Sequence, residues 1–157
     1  MKKLMLLTML LAGMVLVQGC GELFIKPEIN TSRAYDVSYN ELWNATVKTF
    51  AKYALPIQTI ERESGIITTF PMVIIDSSIG SKQLDALAVR PSIPFGIWTT
   101  MIVEITAFVQ KEPVQIKIIT TVNCYESNFS KAWHLCYSVG DIELNMLDAV
   151  EKNIISK

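Results

Sequence analysis

The sequence predicts an α+β domain, an antiparallel β-sheet with two helices packed on one face, carried behind an N-terminal export signal. Three observations predict it: a capped amphipathic helix opening at Ser38, two alternating apolar-polar runs at 99–110 and 114–125, and a second amphipathic helix over 141–155. At 157 residues the chain has room for one domain with a real core once a leader is removed.

Half of the residues are apolar, and much of that excess lies in the first twenty positions, so the remainder reads as ordinary globular protein. Lys2 and Lys3 make a cationic start, residues 4–17 an uncharged apolar stretch, and small Gly19 precedes Cys20. This is the three-part layout of an export signal. Fourteen residues are too few for a spanning helix, which needs about 20.

The stretch LVQGC at 16–20 resembles the lipobox of bacterial lipoproteins. In that family the cysteine thiol receives a diacylglyceryl group, a peptidase cuts just before the cysteine, and the new amine is acylated. The resemblance implies a signal peptide over 1–19, cleavage between Gly19 and Cys20, and lipidation at Cys20. A plain secretory signal with an incidental cysteine is the alternative. Two or more acyl chains anchor a domain durably, and Gly21 after the cysteine, by analogy with enterobacterial sorting, implies the periplasmic face of the outer membrane.

The net charge is -1, from 14 basic and 15 acidic residues, and becomes -3 (12 against 15) without Lys2 and Lys3. With no Lys/Arg run, such a surface has no long-range pull on phosphate backbones, so nucleic acid is not an expected partner.

Residues 20–33 read as a lipidated tether, with Pro27, Asn30, Thr31 and Ser32 and no periodicity, a short edge strand at 23–26 being the alternative. The domain follows over 34–157. Ser38 and Glu41 form a capping box, Val37 and Leu42 can staple it, and Trp43, Val47, Phe50 and Ala54 make one apolar stripe. Leu55 before Pro56 ends the helix. Residues 57–63 and 66–70 form a hairpin around Ser64 and Gly65, the glycine supplying positive φ.

Residues 71–98 read as an insertion, with an apolar run at 72–75, a possible short helix near 83–88, and Pro91 and Pro94; a stretch this long suits a family-specific task. In the next hairpin Met101, Val103, Ile105, Ala107 and Val109 face inward on one strand, and Val114, Ile116, Ile118, Val122 and Cys124 on the other. Ile102, Phe108 and Ile119 interrupt the polar side, as if that face were also covered. An irregular stretch holds Trp133 and His134. The closing helix aligns Ile142, Met146, Val150 and Ile154, with Gly140 or Asp141 as its cap.

The segment YDVSYNELWNATVKTFAKYALPIQTIERESGIITT, at 35–69, resembles a module recurrent in Gram-negative lipoproteins and the domains of the BamC-like family. CYSVGDIELNMLDAVEKNI, at 136–154, resembles the closing turn and helix of related small lipoproteins. The resemblance implies a helix-grip-like fold, an envelope address and a partner in that compartment.

Cys124 and Cys136 remain once lipid takes Cys20, and in an exported protein a disulfide is favoured over two buried thiols. No CxxC, HExxH, GxSxG or phosphate-cradling loop occurs, so no catalytic or metal-ligating residue is expected. His134, the only histidine, reads as a surface or hydrogen-bonded side chain. Trp98, Phe108, Ile119 and Trp133 are the candidate partner contacts. The expectation is a non-enzymatic, lipid-anchored docking or assembly module, needing no cofactor beyond its acyl chains, that binds another envelope protein. The alternative is a carrier holding a small apolar ligand between helix and sheet.

Overall fold

The computed structural model describes residues 28–75 and 82–156. The signal segment, Gly19 and Cys20 lie outside the described residues. The chain is α+β: an open antiparallel sheet and two long helices.

β1 (Ser32–Ala34) leads to α1 (Tyr39–Lys52), then β2 (Ile57–Glu61), β3 (Ile66–Thr69) and β4 (Met72–Ile75). A one-turn helix α2 (Lys82–Asp85) and β5 (Ala88–Val89) precede three long strands, β6 (Trp98–Lys111), β7 (Val114–Glu126) and β8 (Ala132–Ser138). α3 (Asp141–Ile155) closes the chain. The sheet runs β2-β3-β6-β7-β8-β5, with β1 on β7 and β4 on β6.

α1 starts where the sequence says. Ser38 accepts from the Glu41 N–H, and the Glu41 carboxylate accepts from the Ser38 N–H at 3.0 Å, a cap worth about 1 kcal/mol. Leu42, Trp43, Thr46, Thr49 and Phe50 are buried, while Ala54 falls outside the helix, exposed and at φ 50°. The helix ends two residues short of the expected stripe, because the chain leaves it at Tyr53 ahead of the Leu55-Pro56 break.

The inward sets expected on β6 and β7 are buried or nearly so and share one core with Leu42, Phe50, Met146, Leu147 and Val150 of the helices. α1 and α3 pack on each other and on the central strands. Asn153 of α3 donates to the Thr49 hydroxyl of α1 at 2.9 Å, joining them at a partly buried polar point.

β3 and β4 share one edge of β6, and the gap between them would leave the Ile105 N–H without a strand partner. The buried Thr69 hydroxyl accepts it at 3.0 Å. Gly65, at φ 71°, turns the β2-β3 hairpin against β6, where Val109 N–H donates to its carbonyl at 2.7 Å. A Cβ there would run into the Val109 carbonyl oxygen, a backbone atom that cannot step aside. Gly65→Ala is therefore expected to cost at least about 2 kcal/mol in urea unfolding, left-handed strain plus a forced strand shift.

Three expectations need correction. The tether reading fails for residues 32 and 33, which belong to β1 and pair with Lys117 and Ile116, and Arg33 adds ion pairs to Asp148 and Glu151 of α3. The stretch with Trp133 and His134 is strand β8, paired to β7 from Thr121 to Glu126. The insertion is part of the sheet at both ends, through β4 on β6 and β5 on β8. α3 takes Gly140 as its N-cap, at φ 98° and with no side-chain cap bond.

Candidate functional site

Directly opposed residues on neighbouring strands point to the same side of a sheet. The register thus places Val73, Ile102, Asn123 and Leu135 in one row across β4, β6, β7 and β8, and Ile75, Thr100, Tyr125 and Trp133 in the next. This is the face turned away from the core. Val73, Ile75, Trp133 and Leu135 are 61, 71, 48 and 57 % exposed. The Tyr125 and Trp133 rings lie 5.3 Å apart. An antiparallel sheet with one solvated face normally alternates apolar with polar; here exposed apolar side chains stand on β4 and β8, with half-buried Ile102 of β6 and Tyr125 of β7 between them.

Of the expected contacts, Trp133 sits in this patch. Phe108 and Ile119 lie on the same face further along, opposite Lys117 and Thr106. Trp98 does not: it is 6 % exposed, with the His134 ring edge-on at 5.6 Å and the Arg90 guanidinium at 5.7 Å. A register irregularity between Trp98 and Thr100 breaks the alternation and turns the indole into the core.

A second feature lies between helices and sheet. An open groove of about 430 Å³ runs between the end of α1 (Tyr53, then Leu55), β4 (Met72, Ile74) and the start of α3 (Ile142, Met146), with Val103 and Ile105 of β6 as its floor. Its walls are almost wholly aliphatic, and its size falls among small-ligand sites.

The third feature is a clamp at the far end of β7. Glu126 is fully buried, yet its carboxylate accepts N–H bonds from Ile97 (3.0 Å), Asn128 (2.7 Å), Phe129 (2.9 Å) and Ser130 (2.6 Å). Desolvation alone would push its pKa up; the backbone donors of Asn128, Phe129, Ile97 and Ser130 outweigh it and hold the carboxyl well below the usual range. Ser130 Oγ stands 3.0 Å from Glu126 Oε2 and 2.8 Å from His134 Nε2. The acid thus bonds to the serine and to backbone amides, and among the described residues the histidine's hydrogen-bond contact is with Ser130. The cluster fastens residues 97 and 128–130 to the end of β7.

Cys124 and Cys136 form a disulfide between β7 and β8, with Cα atoms 6.1 Å apart. Among the described residues no His, Cys, Asp and Glu group has metal-holding geometry, and no helix is long and apolar enough to cross a membrane.

No protein-family model matches the chain, and no curated protein matches it.

Proposed function

We propose that this chain is a lipid-anchored docking module of the bacterial envelope, moored by Cys20 on the periplasmic face of the outer membrane and engaging another envelope protein through the outer face of its sheet. The two rows across β4, β6, β7 and β8, with exposed Val73, Ile75, Trp133 and Leu135 at their ends and Ile102 and Tyr125 between, carry the reading. A contiguous patch of this kind on a surface marks an interaction site. The three-part leader ending LVQGC supports the anchor, and the disulfide suits an oxidising compartment. Helices α1 and α3 against the inner face of the sheet fit a helix-grip-like arrangement and a likeness to BamC-like lipoproteins.

The groove beside Met72 and Ile142 favours a second reading, a carrier of a small apolar ligand between helix and sheet. One experiment separates them. A photo-crosslinking amino acid is placed at Leu135, at Met72 or at exposed Lys48 of the full chain in living bacteria. Docking gives discrete protein adducts from Leu135 and none from Lys48. Small-mass adducts from Met72, with Leu135 silent, would favour the carrier and sink docking.

A further inference from the structure

We propose that the loops at the Glu126 end of the sheet form a bilayer-contacting tip, with Phe95, Ile97 and Phe129 entering the lipid interface beside the acylated cysteine. This rests on the anchor reading above for where the tip stands, but the tip has its own structural grounds.

The three side chains are 85, 53 and 65 % exposed, Phe95 more than any other large apolar group described. They do not hang on slack loops. Glu126 binds the Ile97 and Phe129 amides with one carboxylate, Ser127 donates backbone and hydroxyl to the Ile97 carbonyl at 2.8 and 3.0 Å, and Asn128 Nδ2 reaches the Phe95 carbonyl at 3.3 Å. Two loops far apart in sequence are fastened into one unit. Phe95 is held at φ 57°, a conformation that a bulky aromatic residue rarely adopts. Gly96 passes so close to the clamp that a Cβ would lie 3.4 Å from the Glu126 side chain and 3.1 Å from the Ile93 carbonyl oxygen. The fold thus maintains an exposed phenyl ring at a strained position, as at sites that meet a ligand.

The course of the chain says what covers it. β1 runs antiparallel to β7, Ala34 opposite Gln115 and Ser32 opposite Lys117, and the Thr31 carbonyl accepts from Ile118 N–H. Followed toward its N-terminus, the chain heads for the Glu126 end. From Ile118 to Glu126 the strand rises about 27 Å. The segment from Cys20 to Thr31 can span at most about 36–40 Å. A lipid on Cys20 can therefore reach the plane of the tip, and anchor and aromatic side chains can share one bilayer. Apolar side chains at an interface add to the hold of an acyl anchor.

The test uses the full-length acylated protein in phosphatidylethanolamine/phosphatidylglycerol vesicles containing a phospholipid with a photoreactive acyl chain. The expected result is lipid adducts on the peptides bearing Phe95 to Ile97 and Phe129. F95S/F129S should keep its acyl group and its melting temperature yet lose tip adducts roughly tenfold as apolar area leaves the interface. Adducts confined to the N-terminal peptide of an acylated chain would overturn the tip and leave the anchor standing. If Cys20 carries no acyl group, the anchor reading fails, and the unlipidated chain on the same vesicles decides the tip by adducts present or absent. Tip adducts to protein instead of lipid, in native envelope vesicles, would also overturn it.

Discussion

Cys124→Ala/Cys136→Ala is expected to lower the stability of the oxidised domain by about 3 kcal/mol, the chain-entropy value for a loop of this size. The two cysteines are 12 residues apart and join β7 to β8, the pairing that the register between Thr121 and Glu126 otherwise holds by hydrogen bonds alone. Both are buried, so the pair also fills part of the core. Urea unfolding with and without reductant checks it: reduced wild type should fall most of the way to the double variant, and the variant should ignore reductant. Equal midpoints for oxidised and reduced wild type would show that the bond does not constrain the unfolded chain.

Glu126→Ala strips the acceptor from four backbone amides at once, in a site where the Glu126 side chain is fully buried. Buried donors left without partners are costly, and a drop in melting temperature of roughly 10 °C is expected. Loss of order should concentrate in residues 93–97 and 127–131, read as faster amide exchange there than in β2 or α1. The pH dependence has a definite sign. The folded carboxyl titrates below its unfolded value, so its contribution is complete above the unfolded pKa of about 4.3 and is lost as pH falls through the lower folded pKa. Wild type should therefore lose stability faster than Glu126→Gln on acidification below about pH 5. A constant gap between the two proteins down to pH 3 would contradict the clamp.

The parts of the fold with strict local chemistry were legible. Ser38 and Glu41 need only each other to cap α1, Gly65 carries its own turn, and β6 and β7 alternate because one of their faces is core. β8 was not legible for a physical reason. In AWHLCYS apolar side chains stand on both faces, with Cys136 inward and Trp133 and Leu135 outward, so the period-two signal cancels. The same exposed residues make the candidate docking face, of which the sequence names Trp133 but not Leu135, while Ile102, Phe108 and Ile119 mark the face as unusual. Val73 and Ile75 belong to it only because β4 pairs with β6, a long-range fact that no local pattern states. Trp98 reads as a partner contact at the end of the 71–98 insertion, because the bulge that joins it to β6 and turns it inward has no signature in local alternation. The role of Glu126 leaves no mark in the residue types, since its partners are backbone amides. Tyr35 and Trp43, residues that carried the family likeness, serve the core: Trp43 is 5 % exposed, and the Tyr35 hydroxyl donates to the Leu147 carbonyl at 3.3 Å.

The reading stands on Cys20 as a lipid-bearing N-terminus, the point from which the docking face and the tip take their orientation. The most direct measurement is the mass of the N-terminal peptide of the full chain purified from bacterial envelopes. The result expected is a peptide beginning at Cys20 and heavier than its sequence by a diacylglyceryl group and an amide-linked acyl chain. A peptide that starts elsewhere, or that starts at Cys20 with a bare thiol and a free amine, would contradict it.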